Sequence, residues 1–361
     1  MSPAATPGIT VIMPVYNGER FVEAAIRSVL GQTVADLELI VIDDGSTDGT
    51  PAILADAAAS DDRVVIRRQP NSGRSAARNA GLEIARAPLV ALLDADDIAL
   101  PGRLHRQREF LAANPAVAVV GGAIQLIDEN GRVLHRVGYP TSDREIRDDF
   151  RHANPIAHST AMVRKVVFDR VGSYRPAFVT AQDLDLWLRV AEHFQFANLR
   201  DVVCQYRVHP LQTTVLELEN QAFGTLAAHA AARARASRGS DPLDSAERIG
   251  EQDLFDLGVT RADITDEFVR RACSVANMMD LAGHPDLAKH LAEIAAKRAR
   301  SESGSSHLVA VVHREYADQL AHKHHRVRAS LRLGRALVAD RARVNPALAV
   351  GRLLRRRLRR A

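Results

Sequence analysis

Three aspartates stand within four positions, directly after a short apolar run at residues 89–93. They are Asp94, Asp96 and Asp97. Like charges this close repel one another unless a cation or hydrogen-bond donors compensate them, and ligation by oxygen alone favours a hard divalent ion. The pattern therefore predicts a Mg²⁺ or Mn²⁺ site that holds a phosphorylated ligand. The alternative is an acidic loop in which Asp97 caps a helix predicted at 103–113.

The apolar run 89–93 is typical of a buried strand in a parallel sheet, where ligands bind beyond the carboxyl ends of the strands. Two earlier runs have the same form, at 9–13, which is predicted to stop at Pro14, and at 37–42. Further predicted elements are helices at 50–59 and 75–85 and a strand at 64–66. Strands that alternate with helices in this way indicate βαβ units and a mostly parallel α/β sheet.

Three of these strands are followed by polar, acidic or glycine-bearing loops, at 15–17, 43–44 and 94–97. In a parallel sheet the carboxyl ends of the strands share one edge. We therefore expect the three loops to converge on a single crevice, which makes a functional site there a stronger prediction than any one motif.

Later elements are predicted as a strand at 116–127, a hairpin turn at 128–131, an extended segment at 154–163, a helix at 166–171, a second helix containing Leu184 and Trp187, and a strand at 202–206. Beyond Leu216 alanine-rich helical patterns replace the strands. The predicted organisation is an α/β domain at 1–215, a helical C-terminal region at 216–322 and a basic tail at 323–361.

Composition favours a protein with an ordinary hydrophobic core, because 46% of the 361 residues are hydrophobic and 25% are charged. The two cysteines, Cys204 and Cys273, match neither a zinc pattern nor a disulfide framework, so buried thiols in a reducing compartment are expected. No apolar stretch approaches the roughly 18 residues of a membrane span. We expect a cytoplasmic protein without a transmembrane helix.

The basic tail has a charge unlike that of the rest of the chain. Residues 323–361 contain thirteen Lys or Arg and one acid, Asp340, so they carry +12 while the preceding residues carry −8. Leucines alternate with arginines near its end, and such a segment is typical of binding to an anionic membrane surface, at about 1 kcal/mol per cation. Nucleic-acid binding is the rival interpretation, without a recognition motif or aromatic stacking pattern to support it, and a solvated tail is the simplest one.

From Ile9 to about Thr214 the chain resembles the family 2 glycosyltransferases, which have the GT-A fold. The motifs that carry the resemblance stand in family order as Pro14-Val15-Tyr16-Asn17, Asp43-Asp44-Gly45-Ser46, Ser75-Ala76-Ala77-Arg78-Asn79, Asp94-Ala95-Asp96-Asp97, Asn154 to Ser159, Gln182-Asp183 and Tyr206-Arg207-Val208-His209. The resemblance implies transfer of a sugar from a nucleotide-diphosphate donor to an acceptor hydroxyl, with inversion at the anomeric carbon.

The resemblance also implies roles for individual residues. Donor binding would fall to Pro14, Val15, Tyr16, Asn17, Asp44, Arg78, Asp94 and Arg207. Asp96 would be the direct ligand of Mn²⁺ or Mg²⁺, Asp94 would bond the ribose or a metal-bound water, and His209 would approach the metal or the diphosphate. The metal would neutralise charge that develops on the leaving diphosphate. For Arg78 the alternative is a surface ion pair.

Asp183 matches the acid that serves as general base in related enzymes, and an acceptor hydroxyl needs such a base to become an effective nucleophile. The family usually has Glu-Asp here, whereas this chain has Gln182-Asp183. Gln182, a candidate for acceptor contacts or for tuning Asp183, keeps a hydrogen-bonding tip but lacks the charge. The alternative for Asp183 is a helix N-cap. His158 and Trp187 are candidates for acceptor contacts. The alternative for His158 is a hydrogen-bonded structural histidine, and the alternative for Trp187 is a core residue.

UDP-sugars are the favoured donors, with thymidine and guanosine nucleotides left open, and the acceptor would be a glycan or lipid-linked hydroxyl in cell-envelope or polysaccharide synthesis. A phosphatase of the haloacid dehalogenase type is a rival, although its acid pair normally follows the first strand. A nucleotidyltransferase would need a glycine-rich loop near its N-terminus, which this chain lacks. A nucleotide-sugar-binding scaffold without catalysis is the remaining rival, and Gln182 is the feature that supports it.

Overall fold

The structure, a computed structural model, describes residues 6–151 and 153–303. Its described residues contain one mixed sheet with the strand order β3-β2-β1-β4-β8-β6-β9-β5, and β7 pairs with β6 outside this path. The strands are β1 Ile9–Val15, β2 Leu37–Asp43, β3 Val64–Arg68, β4 Leu89–Leu92, β5 Ile98–Ala99, β6 Val117–Ile127, β7 Val133–Val137, β8 Met162–Arg164 and β9 Gln195–Arg207.

A helix connects each of the first four strands to the next, and these four strands run parallel. They are α1 Val22–Leu30, α2 Thr50–Ser60 and α3 Arg74–Ile84, and they are followed by α4 Arg103–Ala113, α5 Asp143–Asp149, α6 Val166–Val171 and α7 Gln182–Val190. In α1 the buried residues recur at helical spacing, and the two strands that it connects, β1 and β2, are buried almost throughout. The predicted βαβ units are therefore confirmed over the first 92 residues.

Beyond β4 the sheet is not mostly parallel, which corrects the sequence-based expectation. β8 runs antiparallel to β4 and β6, β7 runs antiparallel to β6, and β5 runs antiparallel to β9, while β6 and β9 are parallel. The hairpin at 128–131 explains the direction of β7, because a short turn can join only antiparallel strands. β8 has three residues, too few for a sequence pattern to indicate its direction.

Strand β1 continues through Pro14, although it was expected to stop there. Ile12 accepts from the amide of Leu93 on the β4 side, and Pro14 faces the same side two residues later, where β4 has already ended. Pro14 lies beyond the last registered pair with β4, Ile12 with Leu92, so its missing amide hydrogen coincides with the end of that pairing. As a result the strand carries its side chains directly into the loop at 15–17.

The C-terminal part of the described chain is helical, with α8 Thr213–Leu216, α9 Leu218–Arg238, α10 Glu251–Asp256, α11 Arg261–Ala282 and α12 Pro285–Ser303. Two compact units can be distinguished, one from Met1–His209 and Ala227–Gly258 and the other from Pro210–Leu226 and the chain after Val259. In the second unit α11 begins at a capping box of Thr260 and Asp263 and ends at Gly283 in the left-handed region. The tail at 323–361 lies outside the described residues.

No helix in the described ranges is long and apolar enough to span a membrane.

Candidate functional site

The loops after β1, β2 and β4 lie side by side at one edge of the sheet. The amide of Asp44 donates to the carbonyl of Val15 over 2.8 Å, and the amide of Leu93 donates to the carbonyl of Ile12 over 3.2 Å. These backbone bonds extend the strand pairing into the loops. They bring the predicted site residues of all three loops to the same edge, as the strand pattern indicates.

The loop after β1 is joined to the loop after β2 by Asn17. Its amide nitrogen donates to Ser46 Oγ at 2.9 Å, and its side-chain Oδ1 accepts from the amide of Thr47 at 2.8 Å. Asn17 has a positive φ of 51°, which asparagine tolerates better than most residues. Of the four residues predicted here, Val15 is buried, Pro14 is half-buried, Asn17 is exposed, and Tyr16 is 51% exposed.

Asp44 is buried, and its carboxylate holds the loop that precedes α3. Oδ1 accepts from Gln69 Nε2 at 2.8 Å and from the amide of Ser72 at 2.9 Å, and Oδ2 accepts from the amide of Gly73 at 2.9 Å. The neighbouring Asp43 accepts from the amide of Ser46 and shapes the turn. A nucleotide base that binds beside Asp44 would therefore contact a carboxylate that already accepts hydrogen bonds from the loop before α3.

Arg78 points from α3 into the interior and forms an ion pair with Asp94. Its Nη2 lies 2.7 Å from Asp94 Oδ1, while its buried Nε and Nη1 have no hydrogen-bond partner among the described residues. Burial alone would raise the pKa of Asp94, but the charge of Arg78, with that of His158, lowers it to about 2. Asp94 is therefore ionised at neutral pH, and its partner Arg78 is buried with two guanidinium nitrogens that have no partner among the described residues.

His158 lies close to both Asp94 and Tyr174. Its Nε2 is 2.9 Å from the hydroxyl of Tyr174, and its Nδ1 is 3.9 Å from Asp94 Oδ1. Burial and the nearby charge of Arg78 lower the pKa of His158 to about 4, so the ring is neutral at pH 7. This environment agrees with the hydrogen-bonded structural histidine that the sequence left as one of two interpretations.

Asp96 and His209 meet at the solvent side of the cluster. Asp96 Oδ2 is 3.1 Å from His209 Nε2, and the two side chains are 34% and 11% exposed. No group of three His, Cys, Asp or Glu side chains within 6–151 and 153–303 is arranged to hold a metal. A carboxylate and an imidazole nevertheless fit a cation that takes its remaining ligands from a diphosphate and water, as Mg²⁺ commonly does. Asp94 Oδ1 is held by Arg78 instead.

Asp97 does not cap the following helix. Strand β5 begins at the next residue, and α4 has Gly102 as its N-cap. The Asp97 side chain is buried and accepts from the amide of Arg207 at 2.9 Å. Burial and the charges of Asp96 and Asp94 raise its pKa well above the usual range.

Arg207 is buried and donates to main-chain carbonyls. Nε bonds to the carbonyl of Asp96 at 2.8 Å, and Nη1 lies 3.2 Å from the carbonyls of Asp128 and Glu129. Its guanidinium also lies over the ring of Phe21, 4.6 Å from the centroid. These contacts order the Asp96 loop, and contact of Arg207 with a donor phosphate remains a prediction.

Asp183 lies in the first turn of α7 and is not its N-cap, because that position belongs to Ala181, which has a positive φ of 53°. Its Oδ2 accepts from Asn154 Nδ2 at 2.8 Å. The charge of Asp183 acts on Arg78, His158 and Tyr174, the residues that also surround Asp94. The candidate base and the candidate donor acid therefore interact electrostatically with the same three residues.

Comparison with known proteins decides the family. Residues 10–172 match the model described as Glycosyl transferase family 2. The O-antigen biosynthesis glycosyltransferase WbnJ of Escherichia coli is 32% identical over 209 residues, which cover 57% of this chain and 81% of WbnJ. The chain belongs to glycosyl transferase family 2. The amylovoran biosynthesis glycosyltransferase AmsE of Erwinia amylovora is also 32% identical, over 203 residues that cover 55% of this chain and 75% of AmsE.

This family 2 glycosyltransferase has the GT-A fold that its motifs predict. The mannosyltransferase PcManGT from Pyrobaculum calidifontis, solved in complex with GDP-Man and Mn²⁺, superposes with a TM-score of 0.51. The match has 19% sequence identity and covers 94% of this chain and 88% of that one. At this identity the likeness shows the fold alone.

Two predicted acceptor-side residues of the glycosyltransferase are buried. Trp187 is fully buried and packs edge-on against Phe196, with ring centroids 6.4 Å apart, so it offers no face to a sugar and lies in the core. Gln182 is 7% exposed at the start of α7. Sequence reasoning assigned no role to Tyr174 or Asn154. Asn154 lies inside a matched motif, but its hydrogen bond with Asp183 spans 29 positions and leaves no local signal.

Proposed function

We propose that this glycosyltransferase transfers a sugar with inversion from a nucleotide-diphosphate donor to the hydroxyl of a glycan or lipid-linked acceptor. The observation that carries the proposal is a shared set of neighbours: Asp94 pairs with Arg78 at 2.7 Å and lies 3.9 Å from His158, and the charge of Asp183 acts on Arg78, His158 and Tyr174. A donor bound at Asp94 would thus present its reacting carbon to an acceptor that Asp183 can reach.

The reaction is a single displacement. The acceptor oxygen attacks the anomeric carbon, the bond from that carbon to the diphosphate oxygen breaks, and its electron pair leaves with the nucleoside diphosphate. Asp183 takes the acceptor proton as the new bond forms, which makes the hydroxyl a better nucleophile in the transition state. An α-linked donor then gives a β-linked product.

Asp96 and His209 would hold a Mn²⁺ or Mg²⁺ ion. Bound to the diphosphate, the ion supplies positive charge that stabilises the leaving group. Arg78 would contribute on the protein side, since it keeps Asp94 ionised and has two buried N–H groups without partners among the described residues. Tyr16 would contact the base, with Asp44 ordering the loop beneath it.

The favoured donor is a UDP-sugar, and the favoured acceptor belongs to a cell-surface polysaccharide or its lipid-linked precursor. The names of WbnJ and AmsE, which refer to O-antigen and amylovoran biosynthesis, support that acceptor class. We also propose a cytoplasmic location, with the basic residues 323–361 binding the inner face of the cell membrane, where lipid-linked acceptors are found.

The first experiment is thermal unfolding with nucleoside diphosphates and UDP-, GDP- and dTDP-sugars, each with and without Mn²⁺. A ligand that binds only the native state raises the unfolding temperature by mass action. We expect a metal-dependent rise with one class of donor and its loss in Asp96→Ala, with the exposed Asp169→Ala as control. No rise with any donor, in folded protein, would favour a scaffold that has lost catalysis.

The second experiment tests Asp183 with the donor so identified. Asp183→Asn should keep the donor-induced rise and lose transfer to a panel of octyl glycosides by about 10²-fold or more, because general base catalysis commonly contributes 10²–10⁴-fold. NMR of the wild-type product should give the inverted anomer. Undiminished transfer by Asp183→Asn, or a retained anomeric configuration, would contradict the mechanism.

A further inference from the structure

Asn154 contacts the candidate base with a side chain whose orientation is determined by a second hydrogen bond. Its Oδ1 accepts from the amide of Ile156 at 3.3 Å, and its Nδ2 donates to Asp183 Oδ2 at 2.8 Å. An amide has one acceptor end and one donor end, so the bond from Ile156 turns the NH₂ group toward Asp183. The carboxylate therefore meets a donor in a defined position.

The segment that carries Asn154 also contacts the donor side of the site. Asn198 Nδ2 donates to the carbonyl of Pro155 at 3.0 Å and anchors the segment to β9. A few residues later Ser159 Oγ accepts from the amide of Asp94 at 3.2 Å. Residues 154–159 therefore contact both Asp94, the acid proposed to bind the donor, and Asp183, the acid proposed to take the proton.

We propose that Asn154 is a positioning residue for Asp183. Resting on the proposed role of Asp183 as base, the inference is that the amide occupies Oδ2, sets the rotation of the carboxylate, and leaves Oδ1 to accept the proton of the acceptor hydroxyl. Bound geometry within a fraction of an ångström matters for such a transfer. Asn154 itself gains or loses no proton.

A neutral donor suits this position because the cluster is already charged. Arg78, His158 and Tyr174 interact electrostatically with Asp183, and of these Arg78 carries the permanent positive charge. A second cation at residue 154 would compete with the acceptor proton, whereas an apolar side chain would leave Oδ2 without its donor. The Asn154 amide thus orients the Asp183 carboxylate without adding a charge to the cluster.

The test uses the full chain and the isosteric substitution Asn154→Asp, with Asn154→Ser as a second variant. Loss of one hydrogen bond to a charged group is worth about 1.5–3 kcal/mol, so we expect transfer to fall by about 10–100-fold in either variant, with the donor-induced rise in unfolding temperature unchanged. Asn154→Asp should also need a higher pH for activity, because two adjoining carboxylates retain a proton. Equal falls in donor binding and transfer, or wild-type transfer, would overturn the inference.

The matched control is Asn220→Asp. Exposed Asn220 also donates its Nδ2 to a carboxylate, that of Glu217, so the substitution places two carboxylates together in the second compact unit, to which the cluster does not belong. Transfer and its pH profile should stay as in the wild type. A loss there equal to that of Asn154→Asp would show that adjoining carboxylates act through general instability and would overturn the positioning role.

The double variant Asn154→Asp with Asp183→Asn separates positioning from the proposed base. It restores an amide–carboxylate pair with the partners exchanged, so its unfolding temperature should recover to near the wild-type value while transfer stays as low as in Asp183→Asn. If Asp183→Asn alone transfers normally, the proposed base is wrong. If Asp183→Asn is inactive but both Asn154 variants transfer normally, only the positioning role is wrong.

Discussion

At the scale of single residues, the three neighbouring aspartates have three different environments. Asp94 pairs with Arg78, Asp96 meets His209, and Asp97 is buried against the main chain of Arg207. The pair of Asp96 and His209 combines an oxygen and a nitrogen ligand, which is why the proposed function assigns the cation to it. The proposed roles of donor acid, metal ligand and buried support therefore fall on three different aspartates.

The Arg78–Asp94 pair predicts a pH dependence of stability. The pKa of Asp94 lies at about 2 in the folded chain against 3.8 ordinarily, so its contribution is fully present above pH 4 and is lost as the pH falls through about 2. Asp94→Asn should lower the unfolding temperature at pH 7, since Arg78 loses its counter-charge. The difference from the wild type should narrow below pH 4 in thermal unfolding scans, and a difference that stays constant with pH would contradict this assignment.

The sequence located these residues but not their partners. Spacing after an apolar run predicted that the acids lie at the edge of a sheet, and that prediction is confirmed by the pairing of β1 with β4. Which way each carboxylate turns depends on side chains distant in sequence, such as His209, which is 113 positions from Asp96. The capping role considered for Asp97 failed for a related reason, because the short strand β5 forms only through pairing with β9.

At the scale of elements, α7 carries the candidate base on one side and a buried ion network on the other. Asp185 is buried between Arg175 and Arg189, and Arg175 also bonds to Asp241 at 2.8 Å. Arg235 bonds to the same Asp241 at 2.6 Å. The network attaches the start of the C-terminal region to the helix that presents Asp183.

Removing the centre of this network should destabilise the chain strongly. Asp185→Ala leaves the buried guanidinium of Arg189 without its carboxylate and half-buried Arg175 with Asp241 alone, and breaking a buried pair costs about 3–5 kcal/mol. Urea unfolding should give a loss of that order, while Asp169→Ala, an exposed acid on α6, should stay within about 0.5 kcal/mol of the wild type. A similar small effect in both variants would show that the network adds little to stability.

Prediction of the elements succeeded where periodicity was long and regular. Helix α4 was predicted at the bounds that the structure gives, and β1 and β2 were each predicted to within two residues. The direction of β8 and the full length of β9 were missed, because both depend on pairing with β6, which is distant in sequence. Local patterns do not contain that information.

At the scale of the whole molecule, the chain separates charge along its length. The tail at 323–361 carries +12 and the rest −8, a contrast that the sequence alone establishes. The sequence placed a boundary at 215 from the change in composition. Contacts group the chain differently, since Ala227–Gly258 lies in the same compact unit as the sheet. Composition changes where strands give way to helices. The compact units depend instead on contacts between distant residues, such as Arg175–Asp241.

The charged tail predicts membrane binding. Deletion of 323–361 should abolish sedimentation of the protein with vesicles of phosphatidylcholine and phosphatidylglycerol, because each cation near an anionic surface contributes about 1 kcal/mol. High salt should weaken binding of the full chain, and vesicles of phosphatidylcholine alone should bind neither form. Undiminished binding after the deletion would refute the role of the tail.

Both cysteines are buried, as predicted from their number and spacing, and they lie in different compact units. Cys204 belongs to β9, where burial raises the pKa of its thiol well above the usual range, and Cys273 belongs to α11. Thiols in this state react slowly until their surroundings open. The wild-type chain thus contains one chemical reporter for each unit, and the rates at which a disulfide reagent modifies the two thiols would compare how readily the catalytic unit and the helical unit open.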